Sequence, residues 1–282
     1  MQKALFRSRD GNLIHTLDIA SALREVRAHE CDILFVHSGM SFGTPISGIG
    51  RQDLLGALLE CLRNLRVPTI VMPTFTFSFC NGVNYDVKSS RSRMGSLNEY
   101  FRVQPSAVRS LDPLMSCTAE GRDVSLVTAT GCNSCGEQST FDLLHKSNAR
   151  TKFLFMGVEP AKCMTYTHYV EERLTVPYRY NRPFTGMVTD HQGHTYQQTS
   201  HLFVRYTGVT PIPDDRFQSL LIGKNLLRWT AIGDGRMFSI DETDAFSELK
   251  ATIQSNPNYF ITEPFDRRSV TTDFVAKDMV AL

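Results

Sequence analysis

The sequence predicts an α/β protein in which a parallel-type central sheet is flanked by helices, with an antiparallel β portion attached near the C-terminal half. First, short and fully apolar runs of strand length alternate with amphipathic helical segments up to about residue 182. Second, this alternation gives way beyond Pro183 to short strand-like runs separated by turn residues. No linker or internal repeat divides the chain. We therefore expect one domain over 1–282, with the α/β core at about 1–182 and the β-containing portion at about 183–282.

The alternation is clearest near the N-terminus. Residues 17–28 place apolar side chains at helical spacing, and Thr16 is the expected N-cap of that helix. A buried strand at 33–36, a helix with a leucine face from 54 to 65 and a second strand at 69–72 follow. Ligands of such sheets bind beyond the carboxyl ends of the strands. The loops that follow these strands are therefore expected to form a common rim.

The rest of the chain adds one more buried strand and several helices. Residues 153–158 form an apolar run of strand length. Ser96 and Glu99 have the spacing of a capping box and predict a short helix at 97–102. The remaining predicted elements are a helix at 139–146, strands at 186–189, 195–196 and 202–206, a helix at 214–227, a mixed segment at 229–239 and a helix at 241–255.

Composition argues against several classes of protein. The formal net charge is only +1, which disfavours the broad basic face of a nucleic-acid binder. No apolar run approaches the roughly 18 residues of a membrane span, and no signal-peptide core is visible. Seven scattered cysteines favour a reduced, cytoplasmic setting, and the histidines show no metal-ligand grouping, so no metal is expected. The oligomeric state stays open, with a homodimer possible.

His168 and Glu171 are the candidate catalytic pair. They follow the strand at 153–158, where the chain enters a helix, and positions i and i+3 share one helix face. An imidazole held by a carboxylate is suited to take a proton near neutral pH. The same spacing is also common on solvated helix faces, but the position on the rim favours catalysis. Cys163 offers an alternative in which a cysteine nucleophile uses His168 as its base.

Two other loops of the rim carry small or polar residues. Ser38-Gly39-Met40-Ser41 follows the first buried strand, and its small residues would let backbone N–H groups approach an anionic ligand. A plain turn is the other interpretation, since neither the P-loop nor the dinucleotide fingerprint is matched. Thr74 and Thr76 place two hydroxyls after the next strand, either as substrate contacts or as part of a well-satisfied loop.

Six segments together resemble the antibiotic N-acetyltransferase family, which includes the aminoglycoside 3-N-acetyltransferases. The resemblance runs from about residue 17 to 182, and beyond residue 186 only the general layout agrees. The segments are 33–41 (ILFVHSGMS), 72–76 (MPTFT), 94–101 (MGSLNEYF), 109–121 (RSLDPLMSCTAEG), 136–144 (GEQSTFDLL) and 167–172 (THYVEE).

The resemblance implies transfer of an acetyl or another short acyl group from acyl-CoA to an amine, without an enzyme nucleophile. His168 matches the family's catalytic histidine, and Glu171 matches the acidic residue that follows it. The residues expected to contact acyl-CoA are Ser38, Gly39, Met40, Ser41, Thr74 and Ser110. The residues expected to contact the acceptor are Asp112, Thr76, Glu172 and Arg179.

The acceptor is predicted from one difference between this sequence and the pattern of aminoglycoside-modifying members, and from the charge of the predicted rim. Asp112-Pro113 stands where aminoglycoside-modifying members typically read His-Pro, and it looks more like members of surface-polysaccharide pathways. Aminoglycosides are polycations, which suit carboxylate-rich sites, whereas the predicted rim is rich in arginine. We therefore expect a nucleotide-linked amino sugar, with an aminoglycoside of antibiotic resistance as the alternative. A catalytically silent relative that binds coenzyme A is a third hypothesis. The rim arginines are Arg91, Arg93, Arg109, Arg173, Arg179 and Arg182.

Overall fold

A computed structural model describes residues 2–273. In chain order, strands β1–β13 span Ala4–Arg7, Leu13–His15, Ile33–Ser38, Thr44–Pro45, Thr69–Pro73, Tyr85–Asp86, Val108–Arg109, Cys117–Gly121, Thr151–Met156, Arg179–Thr189, Thr195–Arg205, Arg228–Ile232 and Gly235–Asp241. Helices α1–α9 span Thr16–Glu25, Arg51–Arg63, Ser96–Arg102, Ser125–Thr128, Thr140–Lys146, Pro160–Cys163, Tyr166–Arg173, Arg216–Gly223 and Glu242–Ser255. Short 3₁₀ helices lie at Phe79–Asn81 and Arg267–Ser269.

A seven-stranded mixed sheet forms the centre of the fold, in the order β12-β13-β9-β3-β5-β8-β7. Its three middle strands, β9, β3 and β5, run parallel, and Phe35 of β3 pairs with Phe153 on one side and Val71 on the other. The strands on either side are antiparallel to their neighbours. The predicted α/β class with a large central sheet is therefore confirmed, although only the middle of the sheet is parallel.

Both faces of the central sheet are buried, which explains why its strands are continuous apolar runs. Side chains alternate along β3, so Phe35 lies in one core cluster while Leu34 and Val36 lie in the other. On the Leu34 face, α1, α2 and α3 contribute the buried residues Leu23, Leu58 and Phe101. On the Phe35 face, α5, α7 and α9 contribute Phe141, Tyr169 and Leu249. The result is a three-layer arrangement of helices, sheet and helices.

The predicted antiparallel portion is confirmed only in part. β10 and β11 do form a long antiparallel hairpin, and β6 pairs in parallel with β10. β12 and β13, in contrast, extend the central sheet through pairing of β13 with β9. They join it because β13 is apolar on both faces, with Phe238 and Ile240 in one core and Met237 in the other. The short strands predicted at 186–206 are parts of two 11-residue strands.

Two predicted helix starts differ from the structure. α1 begins at Thr16 with His15 as N-cap, because Asp18 accepts a hydrogen bond from the His15 N–H at 2.7 Å. The N-cap of α3 is Gly95, and Glu99 accepts hydrogen bonds from Arg102 and from the backbone N–H of Ser92. In α1 the Asp18 carboxylate bonds to the N–H of His15, which makes His15 the N-cap. In α3 the Glu99 carboxylate is engaged by Ser92 and Arg102 and does not complete the predicted capping box.

The carboxyl ends of β3, β5 and β9 lie at the same edge of the sheet, because these strands are parallel neighbours. The loops after Ser38, Pro73 and Met156 therefore share one rim, as the sequence predicts, and α6 and α7 follow the third loop. None of the helices within residues 2–273 has the length and apolarity to cross a membrane.

Candidate active site

A cleft of about 460 Å³ lies beside α6, α7 and α8. Its walls come from segments that are far apart in sequence, namely parts of 160–171, 178–179, 205, 211–221 and 259–260. His168 and Glu171 both line it, and each side chain is largely withdrawn from solvent. The cleft is large enough to bury much of a small-molecule substrate.

His168 and Glu171 form a hydrogen-bonded pair on one face of α7. Nδ1 of His168 lies 2.8 Å from Oε2 of Glu171. An ionised carboxylate only accepts hydrogen bonds, so Nδ1 carries the proton and Nε2 keeps its lone pair. Within residues 2–273, Nε2 makes no hydrogen bond to the protein. The structure thus places the pair as the i, i+3 spacing predicts.

Glu171 is held from two further directions. The Tyr178 hydroxyl donates to Oε1 at 2.7 Å, and Arg179 Nε lies 2.8 Å from Oε2. The Arg179 Nε–H does not point at that oxygen, so this contact is a charge pair and not a directed hydrogen bond. Burial raises the pKa of Glu171, but the Arg179 charge and the bonds from His168 and Tyr178 outweigh it and lower the pKa to about 2. The carboxylate is therefore ionised at neutral pH.

His168 is neutral at neutral pH. Burial is the largest cause that lowers its pKa, the Arg179 charge lowers it further, and the bond to Glu171 only partly compensates. The pKa of His168 falls to about 4. A neutral imidazole with its proton fixed on Nδ1 keeps the lone pair of Nε2 free to accept a proton.

A second, narrower cavity of about 90 Å³ lies at the ends of β3 and β5. Cys163 and Thr165 line both this cavity and the main cleft, so the two spaces adjoin each other at these residues. Its polar wall contains Ser38, whose hydroxyl donates to Asn98 Oδ1 at 2.6 Å. The other lining residues are His37, Pro73, Phe75, Phe77, Met94 and Val158.

The backbone N–H groups of Gly39, Met40 and Ser41 do not face a ligand. Those of Gly39 and Met40 donate to the Met156 carbonyl at 2.9 and 3.3 Å, and that of Ser41 donates to the Gly157 carbonyl at 3.2 Å. These N–H groups are therefore not free to bind an anion, because the end of β9 occupies them, and contacts of this loop with acyl-CoA stay a prediction. The same close approach requires a glycine, since a Cβ at position 39 would lie 2.5 Å from the Gly157 oxygen.

Four other predicted contact residues lie in the protein interior and line neither of these two cavities. The Thr74 hydroxyl donates to the Ser116 carbonyl, and the Ser110 hydroxyl accepts the Cys117 N–H. Thr76 accepts the hydroxyl of Ser78. Asp112 accepts two backbone N–H groups and the Ser134 hydroxyl, and burial raises the pKa of its carboxyl. Internal partners thus satisfy all four, and their contacts with substrates stay predictions.

Glu172 and most of the rim arginines also lie outside the main cleft. Glu172 Oε1 accepts hydrogen bonds from the amides of Asn133 and Asn181. Of the six arginines that the sequence suggested, only Arg179 lines the cleft, and Arg109 is buried with backbone carbonyls as partners. The other cations of the cleft are Lys162, Arg205 and Arg216.

Cys163 is a poor candidate for a nucleophile. Its thiol donates to the Glu159 carbonyl at 3.5 Å and makes no hydrogen bond to His168. Burial raises the pKa of this thiol to about 12. The reactive form of a cysteine is the thiolate, so the alternative with a cysteine nucleophile is disfavoured.

Several residues of the site were not predicted from the sequence. Tyr178, just before β10, bonds to Glu171, Arg205 at the end of β11 lines the cleft, and parts of 211–221 and 259–260 line it as well. For Thr165 alone the local sequence could have indicated a place in the site, because it precedes His168 by three residues and can share its helix face.

His37, buried beside the small cavity, provides a test of acid stability. Burial lowers the pKa of His37 to about 3, so the unfolded chain binds a proton below pH 6.5 while the folded chain does not. We expect this residue to remove about 2 kcal/mol of stability between pH 7 and pH 5, with little lost above pH 7. His37→Phe keeps the ring stacked on Phe155 and should lose this part of the pH dependence. Urea unfolding at pH 7 and pH 5 would measure it, and identical pH dependences for the two proteins would contradict it.

Fold and site together define an α/β protein in which a carboxylate-held, neutral imidazole lines a substrate-sized cleft. The family model of aminoglycoside 3-N-acetyltransferases matches residues 35–254, which is most of the chain. The chain therefore belongs to the aminoglycoside 3-N-acetyltransferase family, a family of acyl-CoA-dependent N-acetyltransferases. The resemblance found in the sequence is thereby confirmed at the level of the family.

Solved structures share the fold across nearly the whole chain. The structure of AAC-IIIb with CoASH has a TM-score of 0.70 at 18% identity, covering 89% of this chain and 98% of that one. AAC-VIa bound to sisomicin gives 0.69 at 17% identity, covering 85% and 97%. The YokD protein from Bacillus subtilis gives 0.69 at 17% identity, covering 90% and 96%. No curated protein matches the sequence. At these identities the likeness to solved structures shows the fold.

Proposed function

We propose that the protein transfers an acetyl or similarly short acyl group from acyl-CoA directly to a primary amine of an amino sugar. One observation carries the proposal: the neutral His168 lines the cleft with its Nδ1 fixed by Glu171, and its Nε2 makes no hydrogen bond within residues 2–273. A nucleophilic amine must lose a proton when it forms an amide, and Nε2 is placed to accept it.

The reaction balances without an enzyme nucleophile. The amine nitrogen attacks the thioester carbonyl carbon, a C–N bond forms, and His168 Nε2 takes the proton from that nitrogen. The C–S bond then breaks, and the imidazolium returns the proton to the leaving sulfur, which departs as the thiol of coenzyme A. Glu171 stabilises the transient imidazolium and keeps the ring oriented.

The two adjoining cavities suit the two substrates of such a transfer. The narrow cavity is largely apolar, with aromatic walls at Phe75 and Phe77, which fits a slender thioester arm or acyl chain better than a sugar. The wider cleft on the other side of Thr165 has room for the acceptor and contains the base. Attack would take place where the two spaces meet.

The family favours an aminoglycoside as the acceptor. Related folds have been solved with sisomicin, in AAC-VIa, and with a gentamicin, in a mutant of AAC(3)-IVa. Since the chain belongs to this family, an aminoglycoside amine is the first acceptor to test.

A nucleotide-linked amino sugar is the second candidate, and the charge of the cleft favours it. Two carboxylates line the cleft, those of Glu171 and Asp214, against four cations. The cations are Lys162, Arg179, Arg205 and Arg216. The lining side chains therefore carry more positive than negative charge, which would repel a polycation and attract a phosphate group.

Release of free thiol from acetyl-CoA across a panel of amines tests the function and ranks the acceptors. We expect acceptor-dependent thiol release and a product that is heavier by one acetyl group. Turnover of sisomicin, gentamicin or kanamycin alone would establish the aminoglycoside. Turnover of UDP- or dTDP-linked amino sugars alone would establish the second candidate. Absence of binding and of turnover with acetyl-CoA and with longer acyl-CoAs would contradict the proposal itself.

A further inference from the structure

Within residues 2–273, the Thr165 hydroxyl is a buried polar group without a partner. Thr165 is 6% exposed, and its Oγ1 makes no hydrogen bond within the described part of the chain. Buried hydroxyls are nearly always paired, because leaving one unpaired costs folding free energy. Such an exception is a common mark of a group that is reserved for a ligand.

The position of this hydroxyl identifies the ligand atom. Thr165 lines both the main cleft and the narrow cavity, at the point where they meet. It also lies one turn before His168, whose backbone N–H donates to the Thr165 carbonyl at 3.0 Å. A thioester at this junction would have the amine and His168 on the cleft side and Thr165 beside its carbonyl group.

We propose that Thr165 is a catalytic residue whose hydroxyl donates a hydrogen bond to the thioester carbonyl oxygen and to the oxyanion that forms there. This inference rests on the proposed acyl transfer. As the amine attacks, the C=O π electrons move to the oxygen, and Thr165 stabilises that charge while keeping its own proton. When the C–S bond breaks, the carbonyl re-forms and the hydrogen bond returns to its ground-state strength.

Other donors at the junction are already engaged. The backbone N–H groups of the loop from Gly39 to Ser41 donate to the end of β9, and the Thr165 N–H donates to the Cys163 carbonyl at 2.7 Å. The Cys163 thiol donates to the Glu159 carbonyl. Among the described residues that line both spaces, the Thr165 hydroxyl is therefore the donor without a prior partner.

Thr165→Val removes the hydroxyl with little change of shape and tests the proposal. We expect kcat to fall by about 10²–10³, the usual loss when one oxyanion donor is removed. Thr165→Ser should recover most of the activity. The melting temperature of Thr165→Val should stay equal or rise, because an unpaired hydroxyl adds nothing to the stability of the free enzyme.

Thr118→Val is the matched control for stability. Thr118 is buried, and its hydroxyl pairs with that of Thr74 at 3.0 Å, so its loss should lower the melting temperature. If Thr165→Val lowered the melting temperature as Thr118→Val does and left kcat unchanged, the hydroxyl would be structural and the inference would be wrong.

The ¹³C resonance of the carbonyl carbon in bound [1-¹³C]acetyl-CoA gives a readout that needs no acceptor. A hydrogen bond to the carbonyl oxygen should move this resonance downfield in the wild-type protein, and Thr165→Val should reverse the shift. Equal shifts in both proteins would overturn the role of Thr165 while leaving acyl transfer intact. Failure of the wild-type protein to bind acetyl-CoA would instead refute the proposed function and the role of Thr165 with it.

Discussion

Replacement of His168 by alanine is expected to lower kcat/KM for acyl transfer by about 10²–10⁴, the usual contribution of a positioned general base. The reason is that the variant lacks the neutral Nε2, the group placed to take the proton from the attacking amine. Binding of acetyl-CoA should change little, because His168 lines only the main cleft and not the narrow cavity. Initial rates of thiol release at saturating acetyl-CoA, together with the affinity for acetyl-CoA, would measure both effects.

His145 offers a matched control. It forms a similar pair, with Nδ1 lying 2.8 Å from Oε1 of the buried Glu242, but it lines a different surface cavity from His168. His145→Ala should therefore keep kcat close to the wild-type value. Full activity in His168→Ala, or an equal loss in both variants, would show that the imidazole of His168 is not the base.

Glu171→Gln is expected to lower kcat by up to roughly 10⁴, the loss seen when the orienting carboxylate of another histidine-dependent enzyme becomes an amide. A glutamine amide can donate to Nδ1, which would move the imidazole proton to Nε2 and remove the base. The acid limb of kcat/KM should also shift. In the wild-type protein it should lie near pH 4, and in the variant at lower pH, because the bond to Glu171 raises the pKa of His168.

The same substitution should also lower stability. Arg179 is buried, and without Glu171 its charge loses the partner at 2.8 Å, which costs about 3 kcal/mol. Glu242→Gln is the matched control, since it disturbs a buried histidine–carboxylate pair elsewhere and should leave the pH profile of catalysis unchanged. A pH profile and kcat for Glu171→Gln like those of the wild-type protein would contradict the orienting role.

Local sequence patterns were sufficient for the sheet core and for the pairing of His168 with Glu171. β3, β5 and β9 are buried on both faces, so each is a short apolar run that sequence alone reveals. His168 and Glu171 are one helical turn apart, and a helix fixes that relation without help from the rest of the fold.

Long-range partners were beyond prediction because no local pattern records them. Arg205 reaches the cleft only because β11 pairs with β10, which places Arg205 opposite Arg179, and no local pattern around it indicates this. The loop from Ser38 to Ser41 has the composition of an anion-binding turn, yet carbonyls of Met156 and Gly157, more than 100 residues away, take its N–H groups. The segment 229–239, predicted only as a mixed part of the β-containing portion, belongs to β12 and β13 of the central sheet, because β13 pairs with the distant β9 and no local pattern indicates that pairing.

The central claim is that the protein transfers an acyl group from coenzyme A to an amine with His168 as the base. It is tested most directly by thiol release from acetyl-CoA, with and without an amino-sugar acceptor, in the wild-type protein and His168→Ala. We predict acceptor-dependent release and an acetylated amine with the wild-type protein, and a loss of about 10²–10⁴ in the variant. Acceptor-dependent release at the same rate in both proteins would contradict the claim.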